Sequence, residues 1–103
     1  MNVQIKKGIV EILILASLCK EPSYGYKIIT DLSELIEISE STLYPILKRL
    51  EMNKLLETYN ESYNGRVRKY YKITKIGIEK INEFLDEWKN MERVIKFIRA
   101  REW

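Results

Sequence analysis

Asn64-Gly65-Arg66 stands between two runs unlike the rest of the chain: LLETYNESY, from Leu55 to Tyr63, and VRKYYKIT, from Val67 to Thr74. Asn and Gly both tolerate positive φ, which a tight turn between antiparallel strands requires. The flanking runs favour β structure and alternate in part. Val67, Tyr71 and Ile73 form one set, and Arg68, Tyr70 and Lys72 the other. Residues 55–74 are therefore predicted as a β-hairpin with a basic tip and a basic second strand. The other segments carry a helical period. The resulting fold class is mainly α with a small β-hairpin (α+β).

Ile5 to Cys19 reads as a helix that is apolar on most of its circumference, through Ile9, Val10, Ile12, Leu13, Leu15, Ala16 and Leu18. Such a helix must be covered on several sides, by the core or by an interface. Pro22 and Gly25 break the pattern in KEPSYGY, with Gly25 serving the turn and Ser23 placed to cap the next helix. That second helix runs from Tyr26 to Leu35. A third lies in SESTLYPILKRLEM, residues 39–52, on Leu43, Ile46, Leu47 and Leu50.

From Lys75 a long helix runs nearly to Trp103. Its positions Ile81, Phe84, Trp88, Met91, Ile95 and Ile98 are spaced 3, 4, 3, 4, 3, an a/d seam with Leu85 and Val94 beside it. Roughly 25 residues at about 1.5 Å each make this helix about 37 Å long. A domain of 103 residues is too small to cover it throughout. These six residues are therefore expected to form a dimer interface.

Histidine is absent and Cys19 is the single cysteine. That removes disulfide frameworks, zinc-finger spacings and sites built on imidazole, so no cofactor and no metal are expected. The carboxylates fall along helical patterns that also carry lysines, with no evident acid–base pair, and no enzyme is expected. Lys6-Lys7 before GIVEILILASLC imitates a secretory leader, but Glu11 interrupts the run and Leu18 stands where a cleavage site wants a small residue. The run also falls short of the roughly 20 residues that span a bilayer. It is expected to be a core helix with Cys19 as a small buried hydrophobe, in a cytoplasmic protein without membrane contact.

Charge is unevenly placed. Residues 48–75 hold eight basic side chains against Glu51, Glu57 and Glu61, a net +5, whereas 1–47 carry −2 and 76–103 carry zero. A basic middle third suggests a polyanionic partner. Three helices, a hairpin with a basic loop and a long final helix follow the order of a winged helix-turn-helix. A helix entering a DNA groove sets short polar side chains and free amides near phosphates, a role that suits Ser39, Ser41 and Thr42. Tyr44 and Lys48 extend along the same side. Pro45 is tolerable because the first amides of a helix lack intrahelical partners. With Ser41 as cap it lies at the end of that zone; with Ser39 as cap, one hydrogen bond is lost.

Taken together, YGYKI at 24–28, STLYPILKRLE at 41–51 and GRVRKYYKITKIG at 65–77 resemble the PadR family of bacterial winged-helix transcriptional regulators, over about the whole chain. With no further domain after the last helix, the chain resembles the family's short subgroup. The resemblance implies a winged helix-turn-helix DNA-binding domain at 1–74 and a C-terminal dimerisation helix at 75–103, within one compact unit. It also implies a homodimer formed through the first and last helices, a two-fold symmetric double-stranded DNA operator, and repression relieved by a small molecule. The family's LYP tyrosine and downstream lysine fall on Tyr44 and Lys48, and its basic wing on Gly65, Arg66, Arg68 and Lys69. One position departs: a glycine common before the hydrophobic pair that opens the hairpin is Lys54 here, and Asn53 is expected to take the left-handed conformation instead.

Trp88 occupies a seam position that normally holds Leu or Ile. It either fills a gap between splayed helices or, with Phe84 and Met91 a turn away on each side, flanks an opening for a small aromatic effector. Some members of the subgroup that this chain resembles sense aromatic drugs at an interface tryptophan. Tyr70 and Tyr71 are expected to serve cross-strand packing. The competing function is a winged-helix protein-interaction module that does not read DNA; a ligand carrier resting on Trp88 alone is weaker.

Overall fold

The computed structural model describes residues 3–101, with side chains from residue 8 onward. The elements are α1 (Val3–Ser17), α2 (Gly25–Leu32), α3 (Glu40–Met52), β1 (Leu56–Tyr63), β2 (Arg66–Ile73) and α4 (Lys75–Ala100). This is the predicted winged helix-turn-helix with a long C-terminal helix. The first two helices begin and end earlier than their periodicity suggested.

The apolar stripes of α1, α2 and α3 meet in one core. Ile14, Leu15, Ile28, Leu43 and Leu47 are buried at its centre, and Leu56, Tyr71 and Ile73 close it from the hairpin. Each such aliphatic side chain contributes roughly 1.5–3 kcal/mol by leaving water. On the remaining flank of α1, Ile9, Ile12 and Leu13 stay half-buried. Cys19 is exposed, its thiol directed to the Leu15 carbonyl at 3.7 Å. The expectation of a buried cysteine is overturned because α1 ends at Ser17, leaving Cys19 in the connection.

β1 and β2 pair antiparallel in a register that sets Tyr59 opposite Tyr70 and Glu61 opposite Arg68. Asn64 and Gly65 both take positive φ, 48° and 78°, as the turn demands. Tyr70 stacks on Tyr59 with centroids 5.4 Å apart, and Tyr71 is buried, so both tyrosines pack. Val67 shares the alternation of Tyr71 and Ile73 but is exposed, because it lies near the tip beyond the helices.

Ser23 does not cap α2. Its amide donates to the Tyr71 carbonyl at 3.0 Å and its carbonyl accepts from the Tyr71 amide at 2.7 Å, a single bridge on the edge of β2 away from β1. The cap position falls to Tyr24, which makes no side-chain capping bond. Gly25 is the first residue of α2 rather than a turn residue; a β-carbon there would overlap the phenol of Tyr44.

The α3–β1 corner also differs from expectation. Asn53 keeps φ −90°, and Lys54 itself enters the left-handed region at φ 63°. Lys54 N–H donates to the Glu51 carbonyl at 3.0 Å and Leu55 N–H to the Leu50 carbonyl at 2.9 Å, a Schellman ending that needs one left-handed residue. The Thr74 hydroxyl then donates to the Lys54 carbonyl at 2.7 Å and accepts from the Gly77 amide at 3.2 Å. The corner is thereby pinned to the start of α4.

Candidate nucleic-acid interface

α3 begins at a cap formed by Ser39, whose extended backbone lets its hydroxyl accept from the Thr42 amide at 3.2 Å. The same hydroxyl donates to the Thr42 hydroxyl at 3.1 Å and lies 3.0 Å from that of Ser41. Three hydroxyls therefore cluster, exposed, at the positive end of the helix. The cap decides the cost of Pro45. Its missing N–H leaves the Ser41 carbonyl without its helical donor, two residues past Leu43, whose amide makes the first bond of the helix, to the Ser39 carbonyl.

Tyr44 and Lys48 continue from this cluster along the exposed side of α3. Tyr44 reaches across to α2 through the space that Gly25 leaves. Tyr44, Lys48, Glu51, Lys69 and Tyr71 line one shallow depression, and Tyr24, Tyr44, Arg68, Lys69 and Tyr71 line its neighbour. Tyr44, Lys48 and Glu51 of α3 thus share a surface with the second strand of the hairpin. Arg66 and Gly65 lie exposed at the hairpin tip. Burial pushes the Tyr71 phenol above its ordinary value, leaving it neutral beneath the basic groups.

Two residues absent from the sequence-based site complete the geometry. Glu51 accepts from the Thr58 hydroxyl at 2.9 Å and lies 4.0 Å from the Lys69 ammonium, tying the wing to α3. Tyr24 lies with its ring centroid 4.0 Å from the Arg68 guanidinium. Tyr24 was visible within YGYKI, but only the fold brings it to the hairpin; Glu51 was hidden among alternating charges.

Within one chain, Phe84, Trp88 and Met91 do not line a common cleft. Phe84 lines a cleft of about 190 Å³ between α1 and α4, floored by Ile12, Leu15, Leu50 and Leu55. Trp88 stacks on Phe84 at 6.5 Å, but it and Met91 stand about half-exposed outside that cleft. Among the described residues, no group of three His, Cys, Asp or Glu side chains is placed to hold a metal ion, and no helix is long and apolar enough to cross a membrane.

Residues 14–83 match the Transcriptional regulator PadR-like family. The chain belongs to this family. Its fold recurs in a PadR-like transcription factor of Bacteroides fragilis, 39% identical, covering 92% of this chain and 94% of that one with a TM-score of 0.83. The Streptococcus mutans UA159 protein smu.1704 is 41% identical, with 90% and 88% covered and a TM-score of 0.77. An uncharacterised protein of Lysinibacillus sphaericus is 32% identical over 96 residues, 88% of each chain. PadR-like membership makes this a DNA-binding transcriptional regulator; of its site candidates, Tyr44, Lys48, Arg68 and Lys69 line the depressions between α3 and the wing, whereas Ser39, Ser41, Thr42, Gly65 and Arg66 do not.

Proposed function

We propose that the protein binds a two-fold symmetric DNA operator as a homodimer and represses transcription. The observation that supports the reading is that Tyr44 and Lys48 of α3 border the same adjoining depressions as Arg68 and Lys69 of the basic strand, with Tyr44, Lys69 and Tyr71 shared by both. Ser39, Ser41, Thr42, Tyr44 and Lys48 lie in the major groove in this reading, with the wing residues Gly65, Arg66, Arg68 and Lys69 along the flanking backbone. A protein-interaction module would have no need for hydroxyls and free amides at the end of the same helix that adjoins a basic wing.

The homodimer rests on α4. Leu85, Trp88, Met91, Val94, Ile95 and Ile98 are each between 37% and 52% exposed, an apolar stripe on a helix of 26 residues. Pairing it with the stripe of a second copy, over the half-buried flank of α1, removes it from water. A small aromatic compound that stacks on Trp88 where two protomers meet would release the operator by favouring one spacing of the recognition helices. In a Trp103→Phe background, a planar dye should quench tryptophan emission saturably and Trp88→Ala should abolish this; unchanged dye affinity removes the effector site.

Selection from a random duplex library tests the main reading. It should return a palindromic sequence whose half-sites are centred about one helical turn, or a small multiple of it, apart. Recovery of no enriched sequence would favour the interaction module.

A further inference from the structure

Arg68 differs from the other basic side chains of the wing in what holds it. Its guanidinium carbon lies 4.0 Å from the centroid of the Tyr24 ring and 4.2 Å from that of Tyr63, so two rings flank the group. Tyr63 ends β1, whereas Tyr24 comes from the α1–α2 connection. Tyr24 meets Tyr70 edge-on at 5.6 Å, so its own ring is braced against the sheet. The adjoining Ser23–Tyr71 bridge ties the same connection to β2 through the backbone. Glu61 stands directly across the sheet from Arg68, yet among the described ion pairs none includes Arg68.

Aromatic rings attract a guanidinium without neutralising it. All its N–H donors lie in its own plane, in a fork that matches the oxygens of a phosphate. Arg68 also borders both the depression that contains Tyr44 and the one at the hairpin tip, the two ends of the proposed DNA surface. A free arginine on a strand loses rotamer freedom when it grips a phosphate; one already flanked by two rings has lost much of it beforehand.

We propose that Tyr24 and Tyr63 are positioning residues that hold Arg68 preorganised for a phosphate of the DNA backbone. A residue outside both the recognition helix and the wing thereby tunes DNA affinity. The inference rests on the DNA-binding reading of the wing.

Anisotropy titrations of a fluorescent mixed-sequence duplex, repeated over a series of salt concentrations, test it in the full chain. Arg68→Ala should lower the magnitude of the salt slope by about 0.9, the value of one phosphate contact. Tyr24→Ala and Tyr63→Ala should each weaken binding roughly 3- to 10-fold, as expected when one immobilised side chain is released, with the slope unchanged. Tyr24→Phe, which keeps the ring, should bind like the wild type. In an Arg68→Ala background, Tyr24→Ala and Tyr63→Ala should cost nothing further.

An equal loss with and without Arg68 would show that the tyrosines act independently of it and overturn the clamp. So would a Tyr24→Phe variant as weak as Tyr24→Ala. Tyr63 is exposed near the hairpin tip, away from the core, so its arm decides even where Tyr24→Ala lowers stability. Failure of the wild type to bind in a salt-dependent way removes the DNA reading itself. Intact wild-type binding with an unchanged slope in Arg68→Ala overturns the clamp alone.

Discussion

Lys54 and Gly77 meet at one corner and place opposite demands on their side chains. Lys54 is a non-glycine residue at φ 63°, a conformation that costs an L-residue roughly 1–2 kcal/mol. Thr74 holds its carbonyl in place at 2.7 Å. Lys54→Gly should therefore raise stability by about 1 kcal/mol, read as a higher midpoint in urea unfolding with no change in slope. A drop in midpoint would mean that the lysine side chain contributes more than the backbone strain costs. At Gly77 an added β-carbon would overlap the Leu55 carbonyl oxygen and lie 2.6 Å from Ile73 Cγ1, in a corner whose backbone is already hydrogen-bonded. Gly77→Ala should destabilise by about 2 kcal/mol, the usual cost of overpacking. The nearest atoms that Gly25→Ala presses on belong to the phenol of Tyr44, an exposed side chain able to swing away. Its unfolding midpoint should stay near that of the wild type while its DNA sequence preference changes. Sequence could flag Lys54 as a departure, but whether Asn53 or Lys54 takes the left-handed conformation depends on which carbonyls the Schellman bonds reach. Likewise Gly25 looks like punctuation until α2 and α3 are packed together and its missing β-carbon makes room for a tyrosine nineteen positions later.

The helix and the wing carry different kinds of information, so variants in each should fail differently. Arg66→Ala or Lys69→Ala removes a positive charge from the hairpin and should weaken binding to most sequences alike. The salt slope should fall by about 0.9 for each phosphate that is no longer neutralised; an unchanged slope would take the wing off the DNA. Ser41, Thr42 and Tyr44 variants should instead alter which sequences are bound, at a cost of roughly 1–3 kcal/mol for each base-edge interaction removed. These elements were legible because their signals are local. Asn64-Gly65 dictates its turn, and the alternation about it dictates the strands. The cap of α3 was legible as a choice of two serines, and the fold selects Ser39 because its extended backbone brings its hydroxyl to the Thr42 amide. The bridge from Ser23 to Tyr71 had no local signal, since a single bridge lacks any period. The same is true of Glu51, whose bond to Thr58 spans the α3–β1 corner. The periodicity that overextended α2 to Leu35 failed for a related reason: Leu35 continues the spacing but is exposed, beyond the point where the core supports the helix.

At the scale of the molecule, the long axis of 63 Å against 26 and 21 Å records a helix that outruns its own domain. Ile81 still packs against the core, whereas Leu85, Trp88, Met91, Val94, Ile95 and Ile98 are left to water. A free stripe of this length is far more apolar than a solvated helix face requires, and a second copy presents the same stripe with the same spacing. Ile95 is the decisive position because it lies almost four helical turns beyond Ile81, a displacement of about 21 Å at 1.5 Å per residue. A charge there cannot disturb the core, so loss of assembly is separable from loss of fold. Ile95→Glu should weaken dimerisation at least tenfold, equivalent to about 1.4 kcal/mol, while the circular dichroism of the winged domain persists. Lys89→Glu, on an exposed position off the seam, should change dimerisation far less. Light scattering at micromolar concentration should give about twice the 12.4 kDa chain mass for the wild type and for Lys89→Glu. The Ile95→Glu average should fall toward the single-chain value. A wild type that scatters as a monomer removes both the dimer and the palindromic operator. An Ile95→Glu variant that remains fully dimeric moves the interface to the half-buried Ile9, Ile12 and Leu13 flank of α1, where the same charge test can be repeated at Ile12.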